Sequence, residues 1–410
     1  MRNQGFTKVR WSLPLILTFL ALSIATRLFY NGEILGLDYN LHYPDGVCYT
    51  AHAYEFAGLS PEAAWQQTLT DYKGVDARYE RLQEEMRPQS CQSVQARVLY
   101  PLLSAPFVSQ FHLSGMLIIP ILAVLLSFLF LFATLRRMRT SELSIFIGLA
   151  TLATSSSLLR WNIASLPESL LLLWTSISTY VVFGFLSKKK TRTEVTLFLI
   201  AIVTLVLLSA LTKRSAHFWT ILFATILVIF FNKRQEIARR TLLAISAIII
   251  IVTWIVDRSV GAILGGQNSL WIATTTTSCL KGEKVYADPG NVASAISCTD
   301  STNSTVENLT KSVVQNVWSF VINEIGQLAV LDRSLFLLCG ILIVGTLLNW
   351  KSVGPAGQIA LLVALLTFGA TTLNATLGLN FRLMTPALPY LIIGAVLLID
   401  LAIKKVKVEQ

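Results

Sequence analysis

Charge is what this chain has least of. Only 14% of its 410 residues are Asp, Glu, Lys or Arg, against about 25% in an ordinary soluble domain, so a water-exposed globule is a poor reading from the start. Histidine is scarcer still. His42, His52, His112 and His217 are all there are, with no spacing that gathers metal ligands and no Ser-His-Asp pattern for a hydrolytic triad. No glycine-rich phosphate loop occurs either. The common motif-bearing chemistries of metals, acyl-enzymes and nucleotides therefore have no foothold. Ten-residue alternating segments, the mark of a membrane β-barrel, are missing as well.

What fills the chain instead is apolar. Hydrophobic residues make up 54% of it and gather in blocks of 16 to 23, each near the length a helix needs to cross about 30 Å of hydrocarbon. In lipid every backbone polar group must be paired within the segment, and continuous runs achieve this as α-helices. The runs fall near residues 12–30, 114–135, 143–159, 168–186, 195–212, 216–232, 241–257, 334–350, 357–374 and 383–403. The sequence thus predicts an all-α polytopic membrane protein of about ten transmembrane helices, a single domain over residues 1–410. Arg2, Lys8 and Arg10 precede the first run as in a signal peptide. The run nevertheless closes on Arg27, Leu28, Phe29 and Tyr30 with no small-residue cleavage site, so it reads as a retained span.

Charge in the short loops sets the direction. With a cytoplasmic N-terminus, the inner segments hold 18 of the 33 basic residues against only Glu142, Glu194, Glu236 and Glu409. Both termini are then cytoplasmic, and two long segments, 31–113 and 258–333, lie outside. The net charge of +10 follows from this topology, and nucleic acid has no place among the partners. The expected location is the plasma or inner membrane. Cys48 and Cys91 share the first outer segment, and Cys279 and Cys298 share the second, which predicts two disulfides in an oxidising compartment. Cys339 lies alone within a run, where a thiol packs as a small hydrophobe.

The first outer segment has the pattern of structure. Residues 45–57 carry aromatic and small side chains at helical spacing, and Pro61 opens another helix behind Ser60 as N-cap. From Val94 to Phe107 an amphipathic stretch suits a helix lying at the membrane interface. The second outer segment, with Thr274-Thr-Thr-Thr and Ser301-Thr-Asn-Ser-Thr, reads as irregular loop, ending in an apolar helical pattern from Val313 to Ile325.

Because the inner loops are short and basic, chemistry belongs at the outer face. Cations there run against the orientation rule, and five do so from distant parts of the chain: Arg97, Arg160, Lys213, Arg214 and Arg382. Guanidinium binds phosphate in a bidentate way and ammonium as a point charge, so a lipid-linked phosphate suits the set; snorkelling to headgroups is the plainer role for any one of them. Asp38 and Asp45 follow the first run, and Glu168 begins the fourth. A carboxylate near the surface can serve as general base, while the plainer roles are an N-cap for Asp45 and a dipole contact for Glu168.

The text around these residues resembles the GT-C superfamily of membrane glycosyltransferases, which includes protein O-mannosyltransferases, lipid A aminoarabinose transferases and actinobacterial mannosyl- and arabinosyltransferases. The carrying stretches are a first span leading straight into a long outer loop, Asp45-Gly-Val-Cys-Tyr49-Thr-Ala-His-Ala53, Ala96-Arg97-Val-Leu-Tyr100-Pro101-Leu, Pro167-Glu168-Ser, Leu211-Thr-Lys213-Arg214 and Phe381-Arg382-Leu-Met-Thr-Pro386. The resemblance implies an inverting transfer from a polyprenyl-phosphate sugar to a glycan, lipid or protein acceptor at the extracytoplasmic face, and leaves room for a divalent cation. It implies Asp45 as general base, and Lys213, Arg214 and Arg382 on the donor phosphate, with Arg160 and Arg97 beside them. Tyr49, His52, Tyr100 and Glu168 would then contact substrate. Some relatives carry adjacent acids after the first span, whereas Asp38 and Asp45 are seven apart, so the choice between them stays open. Two other classes share the topology. An O-antigen polymerase or ligase usually has its large outer loops later in the chain. A transporter tends to show internal repeats and charged or broken helices at mid-membrane, and the runs here are nearly free of charge.

Overall fold

Continuous apolar sequence dictates helix, and helix is what forms. The computed structural model describes residues 11–29, 44–73, 91, 97–186, 191–213, 217–231, 332–374 and 385–409, with single positions at 246, 247, 250, 251, 254, 255 and 259. Among the described residues there is no strand. The helices are α1 (Ser12–Phe29), α2 (Pro44–Phe56), α3 (Pro61–Tyr72), α4 (Leu99–Gly115), α5 (Ile118–Arg137), α6 (Glu142–Ala153), α7 (Ser156–Asn162), α8 (Glu168–Leu186), α9 (Arg192–Thr212), α10 (His217–Phe231), α11 (Arg333–Leu348), α12 (Gly354–Asn374) and α13 (Leu388–Glu409).

Five described stretches are long and apolar enough to cross a membrane: Ser12–Phe29, Ile118–Arg137, Glu168–Leu186, Thr193–Thr212 and Thr385–Val406. They coincide with the first, second, fourth, fifth and tenth runs of the sequence. The sixth, eighth and ninth runs appear as shorter apolar stretches, Thr220–Phe231, Leu335–Leu348 and Gly354–Thr367. The seventh run, 241–257, lies outside the described residues apart from a few single positions.

The third run is corrected. Residues 143–159 do not form one helix: α6 ends at Ala153 and α7 begins at Ser156. The cause is a serine that competes with the helix for its own backbone. Ser155 Oγ accepts from Leu158 N at 3.0 Å, capping α7, and donates to Asp332 Oδ2 at 2.5 Å. Asp332 in turn caps α11 through Leu335 N. Side-chain oxygens thus satisfy backbone groups that a break would otherwise leave bare within the bundle.

Helix α8 is the axis. It packs against α5, α7, α9, α10 and α13, and its buried Ser169, Thr175, Ser176, Ser178 and Thr179 let neighbours approach closely. Three of these hydroxyls fold back on their own helix, Thr175 to Leu171 O, Ser178 to Thr175 O and Thr179 to Ser176 O, so that they are polar without being bare. Ser178 Oγ also makes a hydrogen bond with the Tyr390 hydroxyl of α13 at 2.8 Å. Outer helices are two-faced: on α1, Ile16, Leu20 and Ile24 are buried while Leu15, Phe19 and Leu22 are exposed.

One end of the bundle is tied by charge. Glu142 at the start of α6 binds both Ser12 of α1 and Arg136 of α5. Asp400 of α13 accepts from Ser141 N at 2.9 Å and from Ser144 Oγ at 3.2 Å, with Lys404 one turn on at 2.5 Å. The other end carries α2, α3 and α4. Pro61 opens α3 and Ser60 Oγ accepts from Ala63 N, as the sequence predicted. The interfacial pattern became α4, which starts at Leu99, contains Pro106 and kinks at His112.

Cys48 on α2 and Cys91 form a disulfide that closes 43 residues of chain. Breaking it with Cys48→Ser and Cys91→Ser together is expected to lower stability by about 2–4 kcal/mol, mostly by freeing the unfolded segment. Thermal unfolding in detergent with and without reductant checks this; identical melting curves would count against a structural role. Cys279 and Cys298 lie outside the described residues.

Candidate functional site

Helix ends place the principal charges. Glu168 opens α8 directly after Pro167, where the helix dipole favours an anion, and Lys213 caps the C-terminus of α9, where it favours a cation. These two ends lie side by side, and Lys213 Nζ donates to Glu168 Oε1 at 2.6 Å. The Glu168 side chain is 0% exposed and that of Lys213 7%, so the pair is out of water. Just below it Trp174 Nε1 donates to Thr212 Oγ1 at 3.0 Å, a second tie between the same two helices.

A group of tyrosines lies within electrostatic reach of Glu168. Tyr100 is fully buried, its hydroxyl donating to Met116 O at 2.7 Å. Its ring meets Tyr49 edge-on at 5.5 Å, and Arg97 Nη1 donates to the Tyr49 hydroxyl at 2.7 Å. Burial holds the Tyr100 phenol well above the ordinary range, and Tyr72, Tyr49 and Glu168 add to it electrostatically. The Tyr72 hydroxyl contacts Thr50 Oγ1 at 3.5 Å and bonds with Ser165. Burial pushes Tyr72 up to about 12, against the opposing pull of those two hydroxyls.

The first turn of α2 lies directly on this cluster. At Gly46 a Cβ would come within 2.5 Å of Ser165 Oγ and 2.9 Å of the Tyr72 hydroxyl. Only glycine permits that approach. Asp45, next to it in the same turn, is thereby set over the segment that leads into Glu168.

Of the residues singled out in the sequence, the fold gathers Arg97, Tyr49, Tyr100, Glu168 and Lys213 into one cluster, with the backbone of Asp45 at its edge. Arg160 sets its guanidinium over the Trp161 ring at 4.9 Å. His52 faces Glu55 of its own helix, Nδ1 to Oε2 at 3.2 Å. Asp38, Arg214 and Arg382 lie outside the described residues. Among the described residues, no three of His, Cys, Asp and Glu come together in a way that could hold a metal ion. Tyr72, Thr50 and Ser165 were missed. Thr50 and Ser165 sit inside stretches already noted, but nothing local marks a hydroxyl whose partner is 22 or more residues away.

Burial of Tyr72 has a sign. Its neutral phenol is favoured in the fold, so the corresponding stability is complete below pH 10 and is lost as pH rises from 10 toward about 12. The loss is on the order of 2–3 kcal/mol. Tyr72→Phe should melt at a more nearly constant temperature across that alkaline window than the parent chain does.

Comparison with protein-family models, with curated proteins and with solved structures returns no match.

Proposed function

We propose that this protein is an inverting glycosyltransferase of the membrane, moving a sugar from a polyprenyl-phosphate donor to an acceptor hydroxyl at the extracytoplasmic face. The observation that carries the reading is the buried Lys213–Glu168 pair, with Glu168 three residues after the Ser165 against which Gly46, the neighbour of Asp45, packs. The proposal includes the ten-span topology with both termini cytoplasmic, read from the distribution of basic residues.

In this mechanism Asp45 takes the proton of the acceptor hydroxyl as its oxygen attacks the anomeric carbon. The bond from that carbon to the phosphate oxygen breaks, and polyprenyl phosphate leaves with the electron pair. The leaving group departs as an anion, so it needs charge stabilisation rather than a proton. Lys213, Arg214 and Arg382 are assigned that role, with Arg160 and Arg97 beside them. Such preorganised charge contributes roughly 3–4 kcal/mol for a well-placed group. The test is mass spectrometry of lipid-linked and surface glycans from cells with the parent chain, without it, and with Asp45→Asn. A missing hexose or pentose in the last two identifies the sugar; unchanged glycans in all three would sink the proposal.

One observation favours a different class. Asp332 is 4% exposed and sits where α6 breaks into α7, and a buried carboxylate at a broken helix is a habit of ion-coupled transporters. Uptake by the reconstituted chain that is lost in Asp332→Asn, with glycans unchanged, would establish that reading instead.

A further inference from the structure

Away from the Lys213–Glu168 pair, α2, α3 and α4 bring together a second set of titratable groups. The Tyr54 hydroxyl of α2 donates to Asp71 Oδ2 of α3, and Gln67 Nε2 donates to Asp71 Oδ1 at 2.9 Å. His112 of α4 comes within 3.2 Å of the same Tyr54 oxygen through Nδ1, while its approach to Asp71 Oδ1, at 3.6 Å, is too long for a hydrogen bond. The Asp71 side chain is 8% exposed and the His112 ring 65%.

Proton counting fixes the direction of the chain. Tyr54 has one hydrogen, and the carboxylate takes it, because a carboxylate can only accept. The Tyr54 oxygen must therefore accept from His112, so Nδ1 carries a proton, and the tautomer this selects leaves the lone pair on Nε2. Burial and Asp71 push the Tyr54 phenol up, which keeps its hydrogen in the relay. The backbone reinforces the point. His112 sits at φ 51°, ψ −139°, a conformation that L-residues avoid, at the kink of α4. Strain of this kind persists only where surrounding contacts hold it, and it concentrates at functional positions.

We infer that His112 Nε2 is a hydrogen-bond-accepting subsite for a hydroxyl of a carbohydrate ligand, separate from the Asp45 end of α2. Nine residues of helix separate Asp45 from Tyr54, about 13 Å at 1.5 Å per residue, so the subsite reads a part of the ligand remote from the proton transfer at Asp45. The exposed ring of Phe111 lies next to it in the chain and offers the apolar surface on which a sugar face stacks. The choice of a carbohydrate rests on the transfer reading above; the relay and its direction do not.

The test uses the full chain in detergent and a panel of methyl hexosides and methyl pentosides, with binding read by saturation-transfer NMR. His112→Ala should weaken binding at least tenfold and Tyr54→Phe several-fold. His112→Gly should lose binding as His112→Ala does while melting at the same or a higher temperature, since glycine tolerates the positive φ. ¹⁵N NMR of the parent chain should show Nδ1 protonated and Nε2 bare. Binding unchanged by His112→Ala and His112→Gly, no glycoside binding by the parent chain, or the opposite tautomer would each overturn the inference. These readouts are independent of transfer: inert Asp45 substitutions sink the base assignment and leave the subsite standing.

Discussion

Lys213→Ala is expected to destabilise the protein by about 3–5 kcal/mol, because it removes the ammonium 2.6 Å from a fully buried carboxylate. The reciprocal change, Glu168→Ala, should be of similar size. The pair is not itself a large source of stability, since taking both charges out of water offsets most of their attraction. Lys213→Met combined with Glu168→Leu should therefore recover most of the loss. Exchanging the charges, Glu168→Lys with Lys213→Glu, should recover less. It sets a cation at the N-terminus of α8 and an anion at the C-terminus of α9, each against its helix dipole and each costing about 0.3–1 kcal/mol. Melting temperatures of the five proteins in one detergent decide the order. If Lys213→Ala melts with the parent, the buried pair has no energetic role and the site built on it falls.

The second large effect is chemical. Asp45→Asn keeps the shape of the side chain and leaves Gly46 against Ser165 and Tyr72, so the first turn of α2 should stay in place. What it removes is the proton acceptor. General-base catalysis contributes about 10²–10⁴-fold, so turnover should fall by that factor while the melting temperature and acceptor KM hold. A variant that folds and turns over like the parent returns the role of base to Asp38. A loss of both folding and turnover is separated from a loss of chemistry by the melting curve. The comparison matters because Asp45 and Tyr49 share one helix, and a change that shifts α2 would disturb Tyr49 and Arg97 as well.

How much of this could be read from the sequence depends on range. Helical class, the Ser60 cap of α3, the apolar run of α1 and the pairing of Cys48 with Cys91 follow from residues near one another or from scarcity. Apolar length is a property of continuous sequence, and four cysteines in two polar segments leave little choice of partner. By itself, then, the sequence determined that the chain is helical, that its apolar runs are of membrane length in at least five described places, and that its unusual charges sit at run ends.

Tertiary structure alone decided which charges meet. Lys213 and Glu168 are 45 residues apart, Arg97 and Tyr49 are 48 apart, and Ser155 reaches across 177 to Asp332. Nothing in a helical period records such distances. That is why Glu168, expected at the substrate, is found paired to Lys213, and why the third run broke. The physical reason is that a buried polar atom must find a partner wherever the fold provides one. In this chain the partners come from other helices, and the end of the bundle where they converge is where the function is proposed.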